Sequence, residues 1–487
     1  MSDARGLLDR ISSFRQRLET VPEAFPVDDD DPDGTHLAVA EEVAETVSEP
    51  EAFRHSLRRI VGTPAADEGP APAQFTARAH RLLQIAKGLL DRQKAVTTDP
   101  VFAGLSADAD DVLVRYHHET VAVLDSAVRL AQVFPDSPTS QLRMCDGLDG
   151  VLEIVKERLT VQERALAKRS ADLTRIDRLA AVLTALQNGP LANLAPVVAL
   201  AEELLEDARQ TRPIRFLSAE PDSTRSYAGG PEFPAPARFL AAHALTTAQV
   251  VARIVPFDFE WAARPLLPVV VTLLMDCTMM RVPAAVLAKP GPLTAEERRL
   301  VEGHPQAAAE LLLRMVPDAA PLADAVATHH ERTDGTGYPV GLKGTTVPAL
   351  GRLLAVADTY ASLCCPRPHR PAADTRAALT EVLLHAEHGG LDRDFAEHLV
   401  QLAFYPVGTV VELADGRVGV VAANHPNRLN PQAPTRPVVA VLADADGAIL
   451  PRPEHLDLSA SNRGGILRSL PADRRRQVLG ARYPDLV

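Results

Sequence analysis

The hydrophobic period of this chain is helical as far as about Phe404 and then changes to two. One backbone cannot satisfy both periods, so the switch commits the chain to a long helical part followed by a small β part. The clearest helical stretch runs from Leu148 to Leu186. Leu152, Val155, Leu159, Leu166, Leu173, Ile176, Ala180 and Leu183 fall there on alternating three- and four-residue steps, with Gln162 and Arg169 at interrupted seam positions. The run reads equally as one long helix of a bundle or as a coiled coil through which 148–186 forms a homodimer, its polar seam residues setting register. Beyond Phe404, Thr409 to Leu413, an Asp415-Gly416 turn and Val418 to Ala422 read as a β-hairpin. Pro437 to Leu442 and Ala448 to Leu450 add short strands. The expected fold class is mainly α: an N-terminal helical region, an all-α domain and a small C-terminal β-barrel or sheet.

At 487 residues the chain exceeds one hydrophobic core, and breaks in composition divide it. Residues 1–61 carry helical segments around the acidic run Asp28 to Gly34. Asp29, Asp31, Asp33 and Gly34 fall on calcium-loop spacing. The twelfth position, however, is Ala40 rather than a bidentate glutamate, and Pro32 intrudes, so the run reads as a solvated acidic loop. A linker at Gly62 to Ala73 leads into a helical bundle or coiled-coil region at 74–210. A second linker, 211–236, holds five prolines and a Gly229-Gly230 pair. Helical pattern resumes over 237–404, the β block covers 405–460, and 461–487 is an Arg-rich tail whose Arg474-Arg475-Arg476 run reads as a solvated helix.

The formal charge of −13 argues against a nucleic-acid binder, which needs a basic footprint for phosphates. The start, Met1-Ser2-Asp3-Ala4-Arg5, lacks the cationic and apolar parts of a signal segment. The most apolar run, Leu266 to Leu274, is too short to span a bilayer and ends at Asp276. A cytoplasmic location is expected, with Cys145, Cys277, Cys364 and Cys365 reduced.

Groups that can ligate a metal concentrate in 237–404. His329-His330-Glu331-Arg332-Thr333-Asp334-Gly335-Thr336-Gly337-Tyr338-Pro339 packs two imidazoles, a carboxylate pair and a glycine-rich turn into one segment. His117-His118-Glu119, by contrast, sits inside a helical pattern and reads as a solvated face. His243, Asp276, His304 and Asp358 join His329 and His330, and His304 follows a capping box in which Thr294 caps and Glu297 reaches back. Histidine and aspartate in this proportion suit Fe, Mn or Zn rather than Ca. Six such groups can hold one or two ions, and a pair of ions can clamp both the attacking and the leaving oxygens of a phosphoryl displacement.

These residues resemble a known family. His-His-Glu-x-x-Asp-Gly-x-Gly-Tyr-Pro, followed by Gly341-Leu342-Lys343-Gly344 and Leu353-Leu354-Ala355-Val356-Ala357-Asp358, is similar to the HD-GYP domain, a branch of the HD phosphohydrolases that hydrolyse the bacterial messenger cyclic di-GMP. Lys289-Pro290-Gly291-Pro292-Leu293-Thr294 and Glu302-Gly303-His304-Pro305 extend the likeness over roughly 237–404, and the block from Tyr405 resembles the small β extension of some members. The resemblance implies an all-α HD-GYP domain in which His243 binds the first metal, Asp276 bridges two metals, His304, His329 and His330 complete the second, and Asp358 completes the first. It further implies that Tyr338, Arg367 and Arg370 contact cyclic di-GMP or a related nucleotide, the guanidiniums through bidentate phosphate contacts.

Departures from the family pattern are as informative. Members read His-Asp-x-Gly-Lys where this chain reads Met275-Asp276-Cys277-Thr278-Met279. Phe239 stands where three-metal members place a glutamate, Ala361 replaces a commonly acidic residue, and His369 a commonly aromatic one. Thioether sulfur is a poor ligand for a hard divalent ion, so the first position keeps only His243, Asp358 and the bridge, while the second keeps its full set. The expectation is a degenerate homologue that binds nucleotide or a partner with little or no hydrolysis. The alternative is an active metal-dependent phosphodiesterase.

Overall fold

The computed structural model of the chain describes residues 72–105, 111–131, 138–189, 193–227, 229–315, 320–401, 405–423, 436–460 and 465–486. The helical segments expected over 1–61, with the acidic run at 28–34, fall outside the described residues. The chain divides into two compact units, Met1–Lys168 with Arg475–Val487, and Arg169–Arg474.

In the first unit, helices α1 (Pro72–Thr98), α2 (Pro100–Leu105), α3 (Val112–Ala131) and the leading part of α4 (Pro138–Gln187) form a bundle. Caps delimit two of them: Asp99 accepts from the amides of Val101 and Phe102 at 2.8 and 3.2 Å, and Asp111 from those of Leu113 and Val114 at 2.9 and 3.4 Å. Leu82, Leu89, Leu124, Met144, Leu152, Val155 and Leu159 build the core. The seam predicted over 148–186 is covered by the chain's own helices at its two ends, Leu148 to Leu159 in this core and Ile176 to Leu186 in that of the second unit, while Arg169 between them is exposed. His117 is buried rather than solvated. Its Nδ1 accepts from Nε2 of the buried seam residue Gln162 at 2.9 Å, and burial pushes its pKa down.

The second unit is the larger helical domain with the sheet. It comprises the end of α4, then α5 (Ala195–Arg209), α6 (Ala237–Ile254), α7 (Leu266–Leu274), α8 (Ala284–Leu287), α9 (Ala295–Glu302), α10 (His304–Met315), α11 (Ala320–Thr328), α12 (Ala349–Cys364), α13 (Thr375–Glu387) and α14 (Arg393–Gln401). Helix α6 is apolar on nearly every side and accordingly runs through the middle, packed by α5, α7, α12 and α14. Its alanines at 237, 241, 242, 244, 248 and 252 let those neighbours approach closely. Segment Ala237–Phe257 is long and apolar enough by composition to cross a membrane, but here it is the buried core helix. Its one deeply buried charge, Arg238, is paired with Asp177 of α4.

The β block is an open sheet, not a closed barrel: five antiparallel strands in the order β4-β3-β2-β1-β5. Strands β1 (Val410–Leu413) and β2 (Val418–Ala423) form the hairpin expected around Asp415-Gly416, and β3 (Val438–Ala443) follows β2. Strand β4 (Ile449–Asp457) lies at one edge, where Pro451 and Pro453 have no N–H to offer and Arg452 and Glu454 are charged, so a further pairing that would close the sheet is disfavoured. The other edge is β5 (Ile466–Ser469), which pairs with β1 from within the segment read as a tail. Val411, Leu413, Val421, Val439, Val441 and Leu458 form the sheet's own core. After β5, helix α15 (Ala472–Leu479) carries the Arg-rich run. Arg158 Nη1 donates to Ala481 O at 3.1 Å, and Leu479 is fully buried.

Candidate metal centre

Five helices deliver the six ligating groups to one place. His243 projects from the middle of α6, and Asp276 follows the end of α7. His304 opens α10, directly after the α9 that starts at the expected capping box: the Thr294 hydroxyl accepts from Glu297 N at 3.2 Å, and the Glu297 carboxylate from Thr294 N at 2.7 Å. His329 and His330 follow the end of α11, and Asp358 lies within α12. They form two overlapping groups that share Asp276, one of Asp276, His304, His329 and His330, the other of His243, Asp276 and Asp358. Within each, the ligand atoms lie within 4.8 Å of one another.

The four-residue group is preset for a cation by its backbone. His304 Nδ1–H donates to Val301 O at 2.6 Å, and His329 Nδ1–H to Val326 O at 2.6 Å. Carbonyl oxygens only accept, so both hydrogens sit on Nδ1 and the Nε2 lone pairs point inward. There they face Asp276 Oδ1 at 3.1 and 3.5 Å and each other at 3.3 Å. Three acceptors this close repel one another unless a cation or an added proton lies among them. Burial alone would raise the Asp276 pKa, but the facing His304 and His329 imidazoles, which donate to it once an added proton sits on Nε2, hold it well below the usual carboxylate range. Burial alone would lower His329, yet the facing Asp276 carboxylate holds it above its ordinary value. His330 is driven well below by burial and by its neighbour His329. Two imidazoles offering Nε2, a third beside them and a carboxylate make a donor set that fits Fe, Mn or Zn.

The three-residue group is set differently. His243 Nε2 is 2.7 Å from Asp358 Oδ1 and 3.9 Å from Asp276 Oδ2. Burial would raise Asp358, but the bond from His243 keeps it below the carboxylate range. Met275, at the place of the family histidine, is fully buried in the apolar core, and Met279 packs partly buried against the same core. Cys277 is a core thiol, pushed up to about 12 by burial.

Tyr338 stacks on His330 with ring centroids 4.8 Å apart and 26° between planes. Arg367 lies 5.0 Å above the Phe239 ring and donates from Nη2 to His243 Nδ1 at 3.0 Å. Arg370 donates to the carbonyls of Leu363 and Ser362 at 3.2 and 2.6 Å, closing the end of α12. His369 is exposed.

Sequence reasoning did not foresee the part played by Glu331. Its buried carboxylate accepts from Val340 N at 2.8 Å, from Gly341 N at 3.1 and 3.0 Å, and from Leu342 N at 2.9 Å. It anchors the loop that carries Tyr338. Gly337 completes that loop by close approach: a Cβ there would meet Arg332 N at 2.3 Å. Asp334 shapes the turn by accepting from Thr336 N and Oγ1 at 2.8 and 2.7 Å. The carboxylate pair of the motif thus organises backbone rather than metal. The available signal was the distance in sequence between Glu331 and the glycine-rich turn it folds back upon.

Known proteins are similar to this chain over the region that holds the site. The family model described as HD domain matches residues 237–395, and one described as a KOW domain associated with HD domain matches 410–474. Among curated relatives, the chain is 39% identical over 155 residues to cyclic di-GMP phosphodiesterase PA4108 of Pseudomonas aeruginosa, covering 31% of this chain and 37% of that one. It is 39% identical over 122 residues to the cyclic di-GMP phosphodiesterase response regulator RpfG of Xanthomonas campestris, covering 24% and 31%. A 3'3'-cGAMP-specific phosphodiesterase 3 of Vibrio cholerae is 36% identical over 115 residues, covering 23% and 25%. The chain therefore spans between 25% and 37% of the length of these three relatives.

Proposed function

We propose, from the HD domain matched over residues 237–395 and the likeness to cyclic di-GMP phosphodiesterases, that this is an HD-GYP-type cyclic di-GMP signalling protein that holds one divalent transition metal and binds the nucleotide with little or no hydrolysis. The observation that carries this reading is the inequality of the two ligand groups. Asp276, His304, His329 and His330 form a complete set, while His243 and Asp358 share Asp276 beside a buried methionine. A bound ion would neutralise ligand charge and polarise a phosphoryl oxygen. Everything else falls to side chains. Tyr338, held against His330, offers an aromatic face to a base, and Arg367 and Arg370 are the guanidiniums proposed to meet phosphates. Met279 brings no charge to the leaving oxygen, where the family lysine would. By analogy with removing one transition-state donor, that alone costs on the order of 10²–10³ in rate.

The alternative, an active phosphodiesterase, rests on the retention of His243 and Asp358. The two separate in one experiment on full-length protein loaded with Mn²⁺: calorimetric titration with cyclic di-GMP, followed by chromatography of the same sample. Binding without accumulation of a linear dinucleotide or mononucleotide supports the proposal. Many turnovers per chain would establish the alternative.

A further inference from the structure

We propose that Thr278 is a positioning residue of the four-residue metal group, a brace that holds Asp276 and His304 together before any ion arrives. The inference rests on the one-ion reading above and names what this chain has gained at the position where the family pattern carries a glycine.

Asp276 follows α7 and precedes the short 3₁₀ turn Cys277–Arg281, with φ −100° and ψ 10°, and its carboxylate makes no capping bond to that turn. The carboxylate is thereby left to the site, and its place depends on how the turn itself is held. Met279 N donates to Asp276 O at 2.9 Å, closing a loop with Thr278 inside it. Thr278 is buried, and its hydroxyl donates to His304 O at 2.8 Å, 26 residues away in sequence. His304 opens α10, and its Nε2 lies 3.1 Å from Asp276 Oδ1. Asp276 and His304 thus face each other across the site and are tied behind it by the Thr278 hydroxyl.

Other buried hydroxyls of the domain behave differently. Thr246 donates to Ala242 O at 2.9 Å and Thr272 to Pro268 O at 2.7 Å, each returning to a carbonyl four residues back on its own helix. Thr278 reaches another element instead, and the element it reaches begins with a ligand. A glycine at this position would have no hydroxyl to offer. The turn is tied once more further along, where Gln187 Nε2 at the end of α4 donates to Met280 O at 2.8 Å. Ligand atoms gathered without an ion repel one another, so an unbraced turn relaxes outward and an incoming cation must gather the ligands again. The brace meets that cost on folding. Its effect is bounded by the net worth of one hydrogen bond, which is about three- to tenfold in metal affinity.

Titration calorimetry of the metal-free full chain with Mn²⁺ gives the number of ions and the dissociation constant together. It is run on the unmutated chain and on Thr278→Val, Thr278→Gly, Thr278→Ser and Thr272→Val, with denaturant unfolding of each in chelator alongside. Valine keeps the shape of threonine and removes the donor; serine keeps the donor. Thr278→Val and Thr278→Gly should bind Mn²⁺ about three- to tenfold more weakly. Thr278→Ser and Thr272→Val should bind as the unmutated chain does, since one retains the brace and the other loses a hydroxyl bonded within its own helix. Unchanged affinity in Thr278→Val or Thr278→Gly, whatever the loss of stability in chelator, would reduce the hydroxyl to an ordinary structural bond and overturn the proposal. An equal weakening in Thr278→Ser or Thr272→Val would overturn it too. Should the valine variant fail to fold, the glycine and serine variants decide the matter between them. Two ions in the unmutated chain would overturn the one-ion reading, whereas the ratio of dissociation constants judges Thr278 separately.

Discussion

Replacing Glu331 by glutamine should loosen the Tyr338 loop without unfolding the domain. The carboxylate receives four contacts from the amides of Val340, Gly341 and Leu342, two on each oxygen. Glutamine keeps one acceptor oxygen and turns an NH₂ toward amides that have only hydrogen to offer. Two of the four contacts are therefore lost, and the charge that strengthened the others disappears. Bonds to a buried charged acceptor contribute roughly 1.5–3 kcal/mol each, so about 3–6 kcal/mol of local stability goes. At 1.4 kcal/mol per factor of ten, that is roughly 10²–10⁴-fold faster opening of the loop. A domain's total stability is about 5–15 kcal/mol, so the loss appears as local opening. Amide hydrogen exchange checks this: protection at 340–342 should collapse in Glu331→Gln while α6 and α12 stay protected, and nucleotide affinity should fall with the freed Tyr338. Unchanged exchange at those three amides would show that the carboxylate is not what holds the loop.

Two further outcomes follow from the centre. In metal-free protein His329 has a folded pKa above its ordinary value of 6.5. Its contribution to stability is therefore fully present below 6.5 and is lost as pH rises through the raised folded value. Thermal unfolding in chelator should weaken over that window, while saturating Mn²⁺ should reverse the trend, because an ion takes the proton's place; parallel pH profiles with and without metal would contradict this. Met275→His places a ring in the apolar core of α6 and α7 and should cost roughly 1–3 kcal/mol in denaturant unfolding of the chelated protein, the penalty of an unpartnered buried polar group. No loss would mean that position 275 does not face the core.

What the sequence made legible was local or periodic. Helical spacing marked the bundle, Asp415-Gly416 the hairpin, and Thr294 with Glu297 the start of α9, because each signal lies within a few residues of what it specifies. The gathering of His243, Asp276, His304, His329, His330 and Asp358 could be read because imidazole and carboxylate have few other reasons to cluster. The parts that were not legible depend on partners far away in the chain. His117 gave a helical pattern but no hint of the Gln162 that buries with it 45 residues later. Strand β5 lies in a polar tail and is fixed by pairing with β1, not by its own alternation. Arg367 carried an expected phosphate duty, and nothing local connects it to His243, 124 residues earlier. Glu331 reads only as one of a carboxylate pair in the histidine segment. Its real partners are amides, which sequence does not display.

In the proposed reading this centre holds one ion, on Asp276, His304, His329 and His330. Anomalous scattering from crystals of the full chain grown with Mn²⁺ tests it most directly, since it places each ion as well as counting it. One bound ion gives a single peak in contact with those four side chains and none between His243 and Asp358. Two peaks sharing Asp276 would contradict it.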